Sequence, residues 1–196
     1  MAFGAPSLKG RALRYLSQRE HSRAELARKL RRSTAGSAIG AASAASAARA
    51  ANAANAENDA SDSDAGDDSA PSAVATLSAN IEAALDELAA HGLLSDERAA
   101  VSVLNAQAPR SGERRLKQLL QSKGLAPELI ANTLAQVKGT EFERALALWQ
   151  RRFGIAAPDA TERARQMRFL QGRGFGFDVI ARVLRAAGNS PDEAPD

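Results

Sequence analysis

Apolar residues recur along the chain at helical spacing, three or four positions apart, and no β-rich run competes with this pattern. The clearest signal is a stripe with the spacing i, i+4, i+7, which appears three times. Its members are Ile81, Leu85 and Leu88, then Ile130, Leu134 and Val137, then Ile180, Leu184 and Ala187. The pattern predicts an all-α protein that uses one buried helical face three times.

Two further helices are predicted ahead of each stripe. The first helix of every set begins with Arg-Ala, at Arg11, Arg98 and Arg144. Candidate N-caps of the first helices are Ser7, Ser95 and Thr140, and those of the second helices are Ser22, Ser111 and Thr161. Ser22 also forms a capping box with Glu25. We therefore predict three tandem three-helix repeats, at 7–92, 93–139 and 140–187, stacked as an elongated, curved array.

Glycines mark the predicted ends and turns of these helices. Gly92, Gly139 and Gly188 close the third helices, where a left-handed residue is expected. The turn between the second and third helices reads "SKGLAP" in the second repeat and "GRGFGF" in the third.

The "GRGFGF" turn combines flexible and bulky residues. Gly172, Gly174 and Gly176 allow backbone angles that other residues resist. Phe175 and Phe177 are predicted to reach back into the core. The Gly-x-Gly spacing does not match a nucleotide-binding loop, because neither a preceding strand nor a Walker lysine is present.

The segment 33–75 interrupts the first repeat at the equivalent turn. It consists of small residues followed by acids, with six acids against one arginine. Such a composition cannot offset the entropy of ordering, so we predict a disordered insert. We likewise expect a flexible N-terminus at 1–6 and a flexible acidic tail at 188–196.

Composition narrows the possible environments and chemistry. The chain has no cysteine, which excludes disulfides and thiolate metal sites. It contains no apolar run of membrane-spanning or signal-peptide length, so we expect a cytoplasmic protein. We also expect it to be a monomer. His21 and His91 stand far apart without a second ligand set, and a contact of His21 with Glu25 near the helix start is favoured over a metal site. We predict no cofactor and no catalytic centre.

Basic residues give the strongest functional signal. The net charge is +3, and residues 1–32 alone carry nine Lys or Arg against two Glu. Arginine forks suit phosphates and carboxylates equally, although a solvated helix face is the alternative interpretation. The candidate partner-binding residues are Arg110, Arg114, Arg115, Lys117, Lys123, Arg151, Arg152, Arg165, Arg168 and Arg173. Trp149, Phe153 and Phe169 are interpreted as core residues, since they occupy apolar helix positions.

Five stretches of the sequence resemble the RecX family of bacterial recombinase regulators, in family order and over nearly the whole chain outside the insert and the ends. They are "YLSQREHSRAELARKL" (Tyr15 to Leu30), "IEAALDELAAHGLLSDERAA" (Ile81 to Ala100), "GERRLKQLLQSKGLAPELI" (Gly112 to Ile130), "ALALWQRRFG" (Ala145 to Gly154) and "QMRFLQGRGFGFDVIARVL" (Gln166 to Leu184). The chain departs from the family pattern at the insert 33–75.

The resemblance implies three tandem three-helix repeats that bind RecA filaments on single-stranded DNA, lodge in the filament groove and bridge adjacent subunits. It also implies inhibition of the ATPase, strand-exchange and coprotease functions of RecA. The family has no catalytic residues to carry over.

Two other function classes remain open from the sequence. One is a helical-repeat DNA-binding module that acts without RecA and binds duplex or single-stranded DNA tightly, whereas the RecA regulator is expected to make only weak direct contact with DNA. The third helices, however, begin "APELIANT" and "GFDVIARV", which is a poor surface for reading bases. The other is an adaptor that binds acidic peptides.

Overall fold

The structure of the protein, a computed structural model, describes residues 7–34 and 69–188, with the backbone alone for 69–73. All regular structure in these two ranges is helical, without a strand, which confirms the predicted all-α class. The ends predicted to be flexible, 1–6 and 189–196, lie outside the described residues. Gly188, predicted to open the tail, is instead the last residue of a helix.

Chain contacts divide the molecule into two units, one up to Ser95 and one from Asp96 onwards. The helices of the first unit are α1 (Leu8–Leu16), α2 (23–34) and α3 (Ser69–Ala90). Those of the second unit are α4 (Asp96–Gln107), α5 (Glu113–Ser122), α6 (Pro127–Lys138), α7 (Glu141–Arg152), α8 (Ala160–Gly172) and α9 (Phe177–Gly188). A short 3₁₀ turn, Ala108–Arg110, joins α4 to α5. None of the helices described here combines the length and apolar composition needed to cross a bilayer.

Three hydrophobic clusters correspond to the three repeats. In the first unit, Leu26 and Leu30 of α2 pack with the α3 stripe, and all five leucine or isoleucine side chains are inaccessible to solvent. In the second unit, α4 to α6 enclose one cluster and α7 to α9 enclose another. The predicted third-helix stripes are buried, apart from Val137, which is half-buried. The three-helix repeats are therefore confirmed, while the curvature of the array stays a prediction.

Aromatic side chains fill the third cluster. Trp149 is 3% exposed, and its indole Nε1 donates to Gln166 Oε1 at 2.8 Å. Phe153 and Phe169 pack against this cluster. Their rings meet each other edge to face, with centroids 5.3 Å apart. Their interpretation as core residues is confirmed.

The two phenylalanines of the "GRGFGF" turn differ in burial. Phe175 is 1% exposed, as predicted, but Phe177 is 71% exposed, so its predicted burial is wrong. Phe175 already closes the end of the third cluster. Phe177 is the first residue of α9, so it begins the helix outside the edge of that core.

The helices that flank the insert extend into its predicted ends. Residues 33 and 34 belong to α2, and α3 starts at Ser69 rather than after Ala75. The alanine-rich sequence before Ile81 has high helix propensity, and Pro71 is tolerated because first-turn N–H groups lack a helical acceptor. The rest of the predicted disordered insert, 35–68, lies outside the described residues.

Two predicted N-caps, Ser7 and Ser22, are confirmed by their hydrogen bonds, and the position of a third, Ser95, agrees with the helix start. Ser7 Oγ accepts a hydrogen bond from Gly10 N at 3.1 Å, and Ser22 Oγ accepts one from Glu25 N at 3.2 Å. Helix α4 starts directly after Ser95. These caps satisfy first-turn donors that have no partner within the helix.

Of the two predicted threonine caps, Thr140 occupies the cap position of α7 without making the cap bond, and Thr161 is wrong. Thr140 directly precedes α7, but its hydroxyl donates to Val137 O at 3.1 Å instead of capping the helix. Thr161 lies inside α8, whose cap is Asp159, with Oδ1 2.8 Å from Glu162 N. The aspartate comes first along the chain and is among the best N-cap residues, so it sets the helix start.

The left-handed glycine stops are confirmed at one position only. Gly92 has φ 67°, whereas Gly139 has φ −67° and Gly188 is absent from the positive-φ glycines. Gly139 keeps a right-handed conformation because α7 starts almost directly after α6. Of the three glycines in the "GRGFGF" turn, only Gly174 has a positive φ, at 84°, and Gly124 in the equivalent turn of the second repeat has φ 74°.

Candidate partner-binding surface

Three of the predicted partner-binding cations, Arg114, Arg115 and Lys117, lie together on α5. They line an open groove of about 560 Å³ together with Gly172 and Gly174 of the turn between α8 and α9. The remaining lining side chains are amides, those of Gln118, Gln121 and Gln171. Because no carboxylate lines this surface, which we call the α5 groove, it favours phosphate or carboxylate groups of a partner.

Cations of the first unit are in a different situation. Arg23 binds Glu82 at 2.9 Å and Asp86 at 2.7 Å, and these two carboxylates raise the pKa of its guanidinium. Arg31 contacts Glu82 at 3.2 Å. In contrast, none of the three α5 cations has an ion-pair partner within the described residues. The basic charge of α5 is therefore available to a partner molecule.

The third repeat caps the N-terminus of α5. Ser111, the predicted cap, ends the 3₁₀ turn instead, and Gly112 at the cap position has no side chain to offer. Three successive backbone donors find acceptors in the third repeat. These bonds run from Gly112 N to Arg173 O at 3.0 Å, from Glu113 N to Glu141 Oε1 at 2.9 Å and from Arg114 N to Gly174 O at 3.2 Å. We call this contact the α5 joint.

Two glycines make the α5 joint sterically possible. A Cβ on Gly112 would lie 2.4 Å from backbone atoms of Gly174 and Phe175, and a Cβ on Gly174 would lie 2.5 Å from Arg115 Cβ. Arg115 also reaches over the turn to donate to Gly172 O at 3.4 Å. Gly174 of the "GRGFGF" turn thus allows close packing of two repeats, a role that needs no nucleotide.

A half-buried arginine, Arg144, which was not included among the predicted site residues, reinforces the same region. Arg144 Nη1 donates to Ala108 O at 2.8 Å and to Ser111 O at 2.7 Å. Its Nη2 donates to Val137 O at 3.1 Å and its Nε to Thr140 O at 3.2 Å. Burial lowers the pKa of Arg144, although nearby glutamates oppose the shift. The guanidinium therefore ties the second repeat to the start of the third.

The repeated Arg-Ala start was the sequence signal for this role. Arg11 occupies the equivalent position in the first repeat, and its Nη1 approaches Ser33 O at 3.5 Å. In both repeats this arginine, which is the fourth residue of the first helix rather than its predicted start, reaches a backbone carbonyl. This use of arginine is structural and needs no external partner.

Two further candidate cations flank the aromatic pair. The Arg173 guanidinium lies 5.2 Å from the Phe169 ring centroid, and that of Arg152 lies 5.9 Å from the Phe153 centroid. Such cation–π contacts contribute about 0.5–1 kcal/mol at exposed sites. These side chains hold partly exposed positions beside the third cluster.

The other five candidates line neither the α5 groove nor the aromatic pair. Arg165, for example, pairs with Glu162 at 3.2 Å on the surface of α8. The ten predicted residues therefore do not form one groove: the structure gathers three on α5 and two at the aromatic pair. The remaining members are Arg110, Lys123, Arg151, Arg165 and Arg168.

His21 is buried in the first unit, at 1% exposure. Its Nδ1 lies 3.3 Å from Glu25 Oε1, the predicted neighbour, without forming a hydrogen bond. Lys29 Nζ lies 3.5 Å from Nε2, and the Tyr15 ring meets the imidazole edge-on. Burial, followed by the charge of Arg19, lowers the pKa of His21, and the Glu25 carboxylate opposes this shift.

The arrangement of acids and histidines does not suggest metal chemistry. Across the described ranges, no three His, Asp or Glu side chains come together as metal ligands would. His91 is exposed beside Gly92, with Nε2 3.9 Å from a Glu87 oxygen.

Known proteins provide close relatives of this chain. Two domain models match it: the third three-helix domain of RecX over residues 140–184, and the first over residues 9–35. A "Regulatory protein RecX" from Leptothrix cholodnii is 42% identical over 95% of this chain and 92% of its own length. Another, from Herminiimonas arsenicoxydans, is 37% identical over 95% of this chain and 96% of its own.

A solved structure shares the fold. The crystal structure of RecX from Lactobacillus salivarius superposes with a TM-score of 0.59 at 17% identity, covering 92% of this chain and 94% of that one. The three-helix repeats, their order along the chain and the sequence identity over most of both chains all indicate the same family. The chain belongs to the RecX family of regulatory proteins.

Proposed function

We propose that the chain is a non-enzymatic regulator that binds RecA recombinase filaments in their groove and inhibits their ATPase, strand-exchange and coprotease activities. The observation that carries the proposal is the α5 groove, with Arg114, Arg115 and Lys117 and no carboxylate in its lining. The names of the relatives, all "Regulatory protein RecX", support the regulatory class.

The chemistry of the α5 groove suits an assembled filament. Filament on single-stranded DNA presents phosphates and acidic side chains at regular intervals, which attract a cationic surface in a salt-dependent manner. The α5 joint holds these cations in place, so that less conformational entropy is lost on binding. A ligand that prefers the assembled filament over free recombinase blocks access to its groove and shifts the assembly equilibrium.

The test is the ATPase rate of the cognate RecA on single-stranded DNA, titrated with the full chain at two salt concentrations. We expect Arg114→Glu and Lys117→Glu each to raise the half-inhibitory concentration about tenfold, since a repulsion replaces an attraction of charged groups. Arg185→Glu, an equal charge change at an exposed α9 position, serves as the matched control. Absence of inhibition by the parent chain would refute the proposed function.

Two candidate cations of the third repeat are tested in the same assay. Charge reversal at Arg168 and Arg173 should weaken inhibition and leave the helical content intact if this side of the third repeat also contacts the filament. Unchanged inhibition would restrict the contact surface to α5. An equal loss for Arg185→Glu would assign every effect to net charge alone.

Direct binding of single-stranded DNA is a second candidate, favoured by the combination of cations and glutamine amides in the α5 groove. This function requires a labelled oligonucleotide to bind without recombinase, with an affinity that falls steeply as salt rises. Tight oligonucleotide binding without any effect on the ATPase would favour this candidate over the filament regulator.

A further inference from the structure

A second groove, of about 520 Å³, lies between α5 and α6. Its α6 lining follows the spacing i, i+3, i+4, i+7, i+8, i+11, so that it extends along the whole helix for about 16 Å. These residues are Pro127, Ile130, Ala131, Leu134, Ala135 and Lys138. We call this surface the α5–α6 groove.

Small residues keep the α5–α6 groove open. Leu125, Ile130 and Leu134 form its apolar floor, and each is only 4–6% exposed because it also belongs to the second cluster. Ala131 and Ala135, one turn apart on α6, are exposed and leave room above this floor. A backbone that approaches along α6 therefore meets methyl groups rather than bulky side chains.

Charge surrounds the α5–α6 groove unevenly. Lys117 and Gln121 line both this groove and the α5 groove, so α5 forms the ridge between an apolar surface and a cationic one. Glu113 is the single acid among the ten lining residues of the apolar groove, and Lys138 lines it as well. A complementary ligand has an apolar side next to a side that carries carboxylates.

We propose that the α5–α6 groove binds an amphipathic α-helix of a partner protein, with carboxylates on the flank that faces α5. The lining runs for about three helical turns, and apolar residues spaced i, i+4, i+7 match such a stripe. Lys117, the α5 cation that lines both grooves, pairs with the acidic flank. A nucleic acid fits this surface less well, because its lining has no aromatic ring for base stacking and includes a carboxylate.

The probe is a fluorescein-labelled helical peptide of about 16 residues, with leucines at i, i+4, i+7 and i+11 and glutamates along one flank. Fluorescence anisotropy with the full chain measures its Kd, and ¹H–¹⁵N spectra locate the affected amides. We expect Ala131→Trp and Ala135→Trp, which fill the groove from exposed positions, each to weaken peptide binding about tenfold. Lys117→Glu should weaken binding and reduce its dependence on salt.

Matched controls distinguish binding in the groove from nonspecific hydrophobic binding. Asn132→Trp adds the same ring at an exposed α6 position that does not line the groove, and it should leave the Kd unchanged. A shuffled peptide of equal composition should not bind. The proposal is overturned if the shuffled peptide binds equally, if both groove variants bind like the parent, or if an oligothymidine shifts the α6 amides and the peptide does not. None of these outcomes depends on inhibition of a recombinase.

Discussion

The α5 joint makes a quantitative prediction for Gly112→Ala. Gly112 has φ −78° and ψ 171°, a conformation that alanine adopts freely, so the substitution introduces no backbone strain. The added Cβ would nevertheless lie 2.4 Å from the carbonyl of Gly174 and from Phe175 Cα. Since these atoms belong to the backbone, the turn must move away from α5.

The cost follows from two contributions. Overpacking in a dense interior costs about 1–3 kcal/mol. Separation of the turn from α5 also breaks the bonds from Gly112 N to Arg173 O and from Arg114 N to Gly174 O, each worth about 1 kcal/mol. We therefore expect Gly112→Ala to lower the free energy of unfolding by about 3–5 kcal/mol.

Urea denaturation followed by Trp149 fluorescence measures this change. Trp149 is the single tryptophan and is buried in the third cluster, so its emission reports unfolding of the second unit. A loss of 3 kcal/mol shifts the urea midpoint by about 2 M for a domain of this size. Gly139→Ala is the control, because nothing lies within 4 Å of its added Cβ and its φ is −67°. That variant should gain about 0.4–1 kcal/mol. A midpoint for Gly112→Ala equal to that of the parent would refute the steric argument.

Three other predictions address single side chains. Gln166→Leu leaves the buried Trp149 N–H without its 2.8 Å acceptor and should cost about 1–3 kcal/mol in the same denaturation assay; no cost would mean that water replaces the amide. Phe175→Ala should cost about 3–5 kcal/mol, whereas Phe177→Ser should change stability by less than about 0.5 kcal/mol; equal costs would contradict the exposure of Phe177. Burial lowers the pKa of His21, so the unfolded chain takes up the proton first, and stability present above about pH 6.5 should fall as pH decreases towards the lower native pKa. His21→Leu should flatten this dependence in urea titrations followed by circular dichroism, and an unchanged slope would assign it to other groups.

The features that the sequence predicted correctly depend on local spacing. Ile81 and Leu85 are buried because residues four positions apart share one helix face, whatever the neighbouring elements are. Ser7 and Ser22 cap their helices because the donor they satisfy lies two or three residues further along the chain. Repetition strengthened each of these inferences, since the same pattern had to fit three times.

The predictions that failed concern places where another element supplies the partner. The start of α5 needs no serine cap because Glu141 and the backbone of the third repeat occupy its donors. No property of Ser111 or Gly112 reveals acceptors that lie in another repeat. The predicted burial of Phe177 failed for a related reason. Phe177 is as apolar as Phe175, but Phe175 occupies the available space in the core.

The arginines show why the candidate surface could not be located from the sequence alone. The Arg144 guanidinium is bound by four carbonyls and that of Arg23 by two carboxylates, although in sequence each is one more cation on a helix. Contacts within the protein thus leave fewer basic residues available to bind a partner. Arg114 stays outside those demands because its backbone, not its guanidinium, is engaged by the third repeat. The same joint that fixes α5 therefore leaves its charges exposed, so Gly112→Ala should weaken partner binding even where the fold survives, through loss of a fixed geometry rather than loss of charge.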